Sequence, residues 1–244
     1  MIILGNGFVA NSLHKYKLRH KNVLIFACGV ANSHETALTQ YIREEQLLTT
    51  ILKRCQQENL KLVYFSSAGE VYKPGLRPSQ ETDTPWPRSL YGFKKIKFEQ
   101  LIQKSGAPYL ICRLPNLVGQ NQNPCQLFPS LINQIKTGQI NVFTRAKRDL
   151  LGVEDFSRAL MDLLRLGCAN KIINIVSGIS TPITQIVSYM KRQIRIPCLI
   201  NNIDQGEKHC FSNKKLKQLL DWPKAYFTPD YYQKVINKYL KFYL

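Results

Sequence analysis

The chain begins with MIILGNGFVA at residues 1–10, a short apolar run that leads straight into a glycine-rich turn. A strand that enters a G-x-G-x-x-(G/A) turn and leaves it as a helix is the context in which proteins bind the pyrophosphate of a dinucleotide. Gly5 permits the tight turn, Gly7 lets the backbone approach the phosphates, and Ala10 allows the helix to pack closely on the strand. The residues expected to cradle a pyrophosphate are therefore Gly5, Asn6, Gly7, Phe8 and Val9.

Further apolar runs follow in the first half of the chain, at 22–29 (NVLIFACG), 61–67 (KLVYFSS) and 109–114 (YLICRL). Continuous runs of this kind are typical of strands buried on both faces of a parallel sheet. Segments with helical spacing separate them, at about 34–59 and at 91–104. The sequence therefore predicts an α/β fold with a doubly wound, mostly parallel, Rossmann-like sheet and right-handed crossovers.

The second half of the chain has shorter and less regular patterns. They indicate strands at 140–144 and 171–176, and helices at 130–137, 155–166, 182–194 and the C-terminal end. We predict two domains from this change. Residues 1–114 form a dinucleotide-binding core, and residues 115–244 form a small substrate-binding lobe that is interleaved with the last core strands.

Charge and composition narrow the range of partners. The chain has 34 basic and 16 acidic residues, a formal net charge of +18. The basic residues are spread along the chain, and no cluster interleaves aromatic side chains as in an RNA-binding surface. We interpret the charge as a solvated surface whose field favours phosphate-bearing substrates, and we do not expect nucleic acid to be a partner.

Other bounds concern the membrane, the cysteines and the histidines. No apolar run reaches the roughly 18 residues of a membrane span, and the N-terminus is interpreted as a strand, not a signal peptide. The seven cysteines form no C-x-x-C pair, which indicates the reduced packing residues of a cytoplasmic protein, without a metal site. The histidines have no partner pattern and are interpreted as surface or structural residues: His14, His20, His34 and His209.

A candidate acid/base pair lies in the sequence YGFKK at 91–95. On a helix, Tyr91 and Lys95 share one face because they are four residues apart. A nearby ammonium group favours the phenolate, so the pKa of Tyr91 is expected to fall toward neutral pH. The pair would then serve as a general acid and base.

These motifs occur together and in order, and the chain resembles the extended short-chain dehydrogenase/reductases. That group contains nucleotide-sugar epimerases, dehydratases, decarboxylases and ketoreductases. The resemblance runs nearly end to end. It rests on the glycine turn, on ACG at 27–29, FSSAGEVY at 65–72, the Tyr91/Lys95 pair, RLPNLVG at 113–119 and RDLLGVED at 148–155.

The resemblance implies a role for each matching position. Tyr91 is the acid/base, Lys95 lowers its pKa and holds the nicotinamide ribose, and Glu70 belongs to the catalytic set. Ser67, one residue before the family's hydroxyl position, is the remaining catalytic candidate. The cofactor, NAD or NADP, is also contacted by Ala27, Cys28, Gly29, Ser66 and Pro115. The diphosphate of a nucleotide-sugar substrate is held by Asn116 and Arg148.

The chain departs from the family first in its cofactor half. Only about 20 residues separate the glycine turn from NVLIFACG, so the usual second and third strands, and the acidic residue that selects the adenine ribose, are expected to be missing. Substitute contacts that would favour NADP come from Lys15, Lys17, Arg19 and His20. An equal alternative is that these four residues only form a basic turn exposed to solvent and contact no cofactor. The choice between NAD and NADP therefore stays open.

The second departure is at Ala68, where the family has a hydroxyl residue that shares the substrate oxygen with the tyrosine. A methyl group cannot do this, and the loss of one such donor typically lowers the rate by roughly 10²–10³-fold. Ser67 points to the opposite face if the strand is regular. Either Ser67 reaches in through a local bend, or Tyr91 polarises the substrate without a helper.

The third departure is beside Glu70. This glutamate falls where dehydratases and decarboxylases carry a base that acts on a carbon beside a keto group. An equal alternative is that Glu70 is an ordinary carboxylate on an exposed loop. The dehydratase acid next to it is replaced by Gly69, so 4,6-dehydration is not expected.

The sequence therefore predicts an NAD(P)-dependent oxidoreductase or epimerase that acts on a nucleotide-activated sugar in surface polysaccharide or deoxysugar biosynthesis. The family further implies a homodimer through the helices at 91–104 and 34–59. The alternative is a non-catalytic relative that binds a dinucleotide or RNA as a regulator. The intact Tyr91/Lys95 pair favours the first, and Ala68 with the missing selector favours the second.

Overall fold

The computed structural model describes residues 1–16, 20–223 and 226–244. Its strands are β1 (Ile2–Leu4), β2 (Val23–Phe26), β3 (Lys61–Ser67), β4 (Tyr109–Leu114), β5 (Asn116–Val118), β6 (Gln139–Phe143), β7 (Lys147–Arg148), β8 (Leu150–Gly152), β9 (Lys171–Asn174), β10 (Thr181–Pro182) and β11 (Leu199–Ile203). Its helices are α1 (Phe8–Leu13), α2 (Leu38–Gln57), α3 (Ala68–Val71), α4 (Leu90–Lys104), α5 (Leu127–Lys136), α6 (Val153–Arg165), α7 (Ile183–Ile194), α8 (Lys214–Leu220) and α9 (Tyr231–Leu240).

The central sheet has five parallel strands in the order β1-β2-β3-β4-β9. The predicted α/β fold with a parallel sheet is confirmed. Among the described residues β1 forms one edge, and β2 pairs with it directly. The absence of two family strands from this chain stays a prediction.

Helices cover both faces of the sheet, which explains the continuous apolar runs. In β2, Val23 and Ile25 belong to the large core that also takes in α5, α6, α7 and α9, whereas Leu24 and Phe26 belong to a second core under α2 and α4. Because successive side chains of a strand point to opposite faces, a strand between two helix layers is apolar at every position.

Three two-stranded pairs lie outside the central sheet: β5 with β8, β7 with β10, and β6 with β11. Among them only β6 was predicted. The strands β5, β7, β8 and β10 have two or three residues and carry no usable periodicity, and the five-residue β11 was missed as well. β9 comes from the second half of the chain but joins the core sheet. The predicted division into two domains stays a prediction.

Two local features differ from expectation. Helix α2 begins at Leu38 instead of His34, because side chains hold the preceding residues in a turn: the backbone N–H of His34 donates to Asn32 Oδ1 (3.0 Å) and that of Ala37 to Glu35 Oε1 (2.8 Å). The short helix α3 was not predicted.

No helix in the described residues has the length and apolar character needed to cross a membrane.

Candidate active site

The glycine turn between β1 and α1 uses its two glycines differently. Gly5 has φ +120°, and a Cβ atom there would lie 2.3 Å from the carbonyl oxygen of Ala27. This approach accompanies the hydrogen bond from Ala27 N to Leu4 O (2.8 Å). Gly7 has φ −80° and lies at the start of α1, where a Cβ atom would meet nothing within 4 Å. Gly5 therefore serves the fold, and Gly7 leaves open space above the turn.

This difference predicts opposite outcomes for two alanine substitutions. Gly5→Ala should destabilise the protein by about 2 kcal/mol or more, because it forces a side chain into strained backbone and into Ala27. Gly7→Ala should leave the melting temperature unchanged but weaken NADH or NADPH binding, since its methyl group fills the space that phosphates would take. Thermal denaturation and a fluorescence titration measure the two effects. Equal dinucleotide binding by Gly7→Ala and the unmodified protein would contradict the assignment.

Tyr91 is placed by the first turn of α4. Ser89 caps this helix by accepting from Gly92 N (3.0 Å) and donates to Glu70 Oε2 (2.6 Å). A Cβ atom at Gly92 would lie 2.5 Å from the carbonyl oxygen of Glu70, so the glycine allows α4 to approach α3 closely. Tyr91 and Glu70 consequently line the same cavity.

Lys95 lies one turn further along α4 and is almost fully buried. Its Nζ is 3.1 Å from Glu44 Oε1 and 3.1 Å from the hydroxyl of Tyr64, and that hydroxyl donates to Glu44 Oε1 (3.1 Å). The ammonium group also lies 5.2 Å from the ring centre of Tyr91. Burial opposes the charged form, but Tyr64, Tyr91 and Glu44 raise the pKa of Lys95, so it stays an ammonium. It has three donors, and the Glu44 and Tyr64 contacts use two of them.

The pKa of Tyr91 is raised above its ordinary value. Burial is the main cause; Lys95 opposes it, while Glu44 and Glu70 add to it. The prediction that Lys95 brings this pKa down toward neutrality is therefore wrong, although the contribution of Lys95 itself has the expected sign. Local spacing does not show this effect, because burial is a property of the folded chain and Glu44, which adds to it, lies 51 residues from Lys95 in sequence.

The serines at the end of β3 differ in their surroundings. Ser66 is 4% exposed, and its hydroxyl is buried without a hydrogen-bond partner in the described residues. Ser67 is extended, with φ −119° and ψ 125°, and its hydroxyl accepts from Glu70 N (3.3 Å). The strand therefore has no local bend at Ser67, although the residue does line the cavity. The methyl group of Ala68 is fully buried in a small apolar cluster.

His209 was interpreted as a surface or structural residue, but it is 8% exposed and lines the cavity. Its Nε2 is 3.0 Å from Glu207 Oε2, and Glu207 is ion-paired with Arg88 (2.5 Å). Its Nδ1 would lie 3.2 Å from a Cβ atom at Gly69, so the missing side chain at 69 makes room for the imidazole. Burial, followed by the charge of Arg148, lowers the pKa of His209, which favours the neutral ring.

Arg148 on β7 and Asn116 on β5 both line the cavity. Arg148 donates from Nη1 to the backbone oxygens of Lys147 (2.9 Å) and Glu207 (2.8 Å), and no carboxylate pairs with it in the described parts of the chain. Burial lowers its pKa from the ordinary value, which for arginine still leaves a cation. Asn116 contacts the carbonyl oxygen of Asp149 through its backbone N–H (3.1 Å). Arg148 is thus a partly buried cation. It makes no ion pair in the described residues, although Glu207 and Glu70 lie close enough to oppose the fall in its pKa.

A cavity of about 950 Å³ brings most of the predicted site together. The predicted residues that line it are Phe8, Val9, Ala27, Gly29, Ser66, Ser67, Glu70, Tyr91, Lys95, Pro115, Asn116 and Arg148. Those that do not are Gly5, Asn6, Gly7 and Cys28, and Cys28 packs toward the core under α2.

The basic residues proposed as substitute cofactor contacts are not at this cavity. Lys15 lies over the ring of Tyr16, 5.2 Å from its centre, and neither Lys15 nor His20 is part of the cavity lining that the structure describes. Lys17 and Arg19 lie outside the described residues. A contact between this turn and NADP stays a prediction.

The residues present fit a nicotinamide dinucleotide. Gly7 leaves open space at the glycine turn, the buried hydroxyl of Ser66 lacks a partner within the described chain, and Lys95 retains a donor beyond those that contact Glu44 and Tyr64. An unsatisfied buried polar group costs free energy unless a ligand or water pairs with it. The cavity therefore offers unpaired polar groups, and the glycine turn that leads into its lining residues Phe8 and Val9 offers open space.

Fold and site together define an α/β protein with a glycine turn on β1 and a Tyr–Lys pair at the carboxyl ends of the parallel strands. Residues 9–176, more than half of the chain, match the model of the NAD dependent epimerase/dehydratase family. The chain belongs to this family.

Two curated proteins are similar in sequence. A candidate UDP-glucose 4-epimerase of Methanocaldococcus jannaschii is 26% identical over 191 residues, which cover 72% of this chain and 62% of that protein. An uncharacterized UDP-glucose epimerase of Bacillus subtilis is 24% identical over 154 residues, which cover 60% and 49%. The chain thus spans between about half and three fifths of the length of these relatives.

Solved structures share the fold. The UDP-N-acetylglucosamine 4-epimerase of Bacillus cereus superposes with a TM-score of 0.78 at 16% identity, covering 97% of this chain and 93% of that one. RMD of Pseudomonas aeruginosa, complexed with NADPH, superposes with a TM-score of 0.77 at 20% identity, covering 97% and 98%. At such identities the similarity shows the fold alone.

Proposed function

We propose that this protein is an NAD(P)-dependent epimerase or oxidoreductase that acts on the sugar of a nucleotide sugar. The observation that carries the proposal is that Tyr91, Lys95 and the cation Arg148 line one cavity. An acid/base pair and an anion-binding group in one cavity match a substrate with a reactive hydroxyl or ketone and a diphosphate. The names of the two curated relatives agree with this substrate class.

The chain's own groups have distinct tasks in this proposal. The phenol of Tyr91 gives a proton to, or takes one from, the substrate oxygen, and Lys95 fixes the electrostatics beneath it. Arg148 and Asn116 orient the diphosphate, and the carboxylate of Glu70, held by Ser89, lies beside the sugar. The bound dinucleotide would supply hydride transfer. We further propose a cytoplasmic homodimer that serves the synthesis of surface polysaccharides or deoxysugars.

An assay with a panel of nucleotide sugars tests the proposal. The purified protein is incubated with NAD and UDP-glucose or UDP-N-acetylglucosamine, and the C4 epimer is sought by NMR. Matching reactions contain nucleotide 4-keto sugars with NADH or NADPH, and there the sugar alcohol is the product. Binding of a dinucleotide and conversion of one substrate are expected. Failure to bind NAD(H) or NADP(H) at millimolar concentration would contradict the proposal.

Arg148→Gln is expected to weaken the binding of uridine diphosphate by roughly 10–100-fold, because it removes a charge-assisted hydrogen bond worth about 1.5–3 kcal/mol. The matched control is Arg145→Gln on the same segment. Arg145 is exposed and already pairs with Asp204 through its Nε (2.7 Å), so its loss should leave affinity unchanged. Isothermal titration calorimetry measures both. Equal affinities for the two variants would show that Arg148 does not hold the diphosphate.

A second candidate function is that of a non-catalytic dinucleotide- or RNA-binding regulator. The buried methyl group of Ala68 favours it, because the position expected to supply a second hydroxyl to the substrate cannot do so. Dinucleotide binding without conversion of any nucleotide sugar, and without any effect of Tyr91→Phe, would support this alternative. Turnover that depends on Tyr91 would exclude it.

A further inference from the structure

A buried carboxylate lies behind the cavity wall, at Glu44 on α2. Its side chain is fully buried, with 0% exposure, and both oxygens are engaged. Oε1 contacts Lys95 Nζ and the Tyr64 hydroxyl, each at 3.1 Å, and Oε2 accepts from the backbone N–H of Val30 (2.7 Å). Glu44 thus joins three parts of the cavity wall: the loop after β2, the strand β3 and the helix α4.

The loop after β2 is shaped to admit this carboxylate. A Cβ atom at Gly29 would lie 2.4 Å from Glu44 Oε1, so only glycine leaves room for it. Burying a carboxylate and an ammonium group is costly, and stability alone seldom accounts for such a pair. The other members of the cluster line the cavity: Gly29, Val30, Tyr64 and Lys95. We therefore infer that the buried Glu44–Lys95 pair has a role at the candidate active site.

We propose that Glu44 is a positioning residue: it holds the ammonium group of Lys95 in the cavity wall and offsets part of its positive field at Tyr91. The proposal rests on the proposed function in that it takes Tyr91 as the acid/base. It deepens that function, because the balance between the charges of Lys95 and Glu44 sets how readily Tyr91 exchanges a proton with a substrate oxygen.

The charges around Tyr91 agree with this role. Lys95 is on the same helix, Glu44 is on α2 and Glu70 on α3, and the neutral phenols of Tyr41 and Tyr64 pack nearby. One cation thus faces two carboxylates. Of these, Glu44 contacts the ammonium group directly.

The chain contains its own matched control. Glu45, the next residue on α2, is ion-paired with Lys97 on α4 at 2.7 Å, but the two side chains are 31% and 53% exposed. Glu44→Gln and Glu45→Gln therefore remove the same charge from adjacent positions of one helix. Only the first removes it from the buried cluster, because water screens the second pair.

The experiment is a pH titration of protein that carries ¹³C at the tyrosine ζ carbon, followed by NMR, with Tyr91→Phe used to assign the Tyr91 signal. Glu44→Gln should lower the midpoint of Tyr91 ionisation by on the order of one pH unit, since one charge a few ångströms away is removed. Glu45→Gln should leave the midpoint unchanged. An unchanged or higher midpoint in Glu44→Gln, or equal shifts in both variants, would overturn the proposal.

A double variant covers the case in which Glu44→Gln does not fold because Lys95 loses its partner. Glu44→Gln with Lys95→Met removes both buried charges together. Its reference is the single variant Lys95→Met: because Glu44 alone raises the pKa of Tyr91 once Lys95 is neutral, the midpoint in the double variant should lie below that of Lys95→Met. Equal midpoints in the two variants would overturn the role of Glu44. If the unmodified protein binds no dinucleotide, the proposed function fails, whereas the titration still decides what Glu44 does.

Discussion

Tyr91→Phe is expected to lower turnover of the nucleotide sugar by about 10²–10⁴-fold, the usual contribution of a positioned general acid or base. The substitution removes one oxygen and keeps the ring. That oxygen faces the cavity and has no hydrogen-bond partner in the described residues, so its loss should not strain the fold. Affinity for NADH or NADPH should stay within a few fold, because the glycine turn, Ser66 and Lys95 are untouched. Steady-state kinetics and a fluorescence titration measure the two effects.

A second tyrosine gives a control for the chemistry of the substitution. Tyr109 begins β4, so it lies at the amino end of the parallel strands, opposite the end that carries the cavity. Tyr109→Phe should leave kcat and KM unchanged. If Tyr91→Phe keeps activity within a few fold of the unmodified protein, Tyr91 is not the acid/base and the regulator alternative gains support.

The parts of the fold that were predicted from sequence are those with local causes. The glycine turn, the buried strands and the Tyr91/Lys95 helix each depend on residues close in sequence, where periodicity and turn chemistry are informative. Short strands such as β7 are invisible to such patterns. Their pairing partners are distant: β10 begins more than 30 residues after Arg148.

The electrostatics of the candidate site could not be predicted in the same way. Glu44 lies on an amphipathic helix next to Glu45, and nothing local distinguishes the buried glutamate from the exposed one. His209 follows β11 and meets Gly69 only through the folded chain. The sign of the Tyr91 pKa shift depends on burial and on Glu44, both of which are tertiary properties. The four-residue spacing identifies the Tyr91/Lys95 pair, whereas the protonation of Tyr91 depends on the residues packed around it in the folded chain.

The second large effect is expected on stability, at the buried ion pair between Glu99 on α4 and Arg113 on β4. The guanidinium forms two hydrogen bonds with the carboxylate, at 3.0 and 2.6 Å, and the side chains are 2–3% exposed. Arg113 also donates to the hydroxyl of Tyr72 (2.8 Å), which donates to Asn174 Oδ1 (2.8 Å). This network ties β4 and α4 to the end of β9. Arg113 belongs to the RLPNLVG segment but does not line the cavity, so its role here is structural.

Glu99→Gln should lower the free energy of unfolding by about 3–5 kcal/mol, because it leaves the charge of Arg113 buried without a counterion. For a chain of this size, that corresponds to a fall in melting temperature of about 2–4 °C per kcal/mol. The double variant Glu99→Gln/Arg113→Met should recover much of the loss, since no unpaired charge remains. Glu45→Gln, which breaks the solvent-accessible pair between Glu45 on α2 and Lys97 on α4, should cost less than about 1 kcal/mol. Urea denaturation of the three variants measures these differences, and equal losses for Glu99→Gln and Glu45→Gln would show that burial does not govern the strength of the Glu99–Arg113 pair.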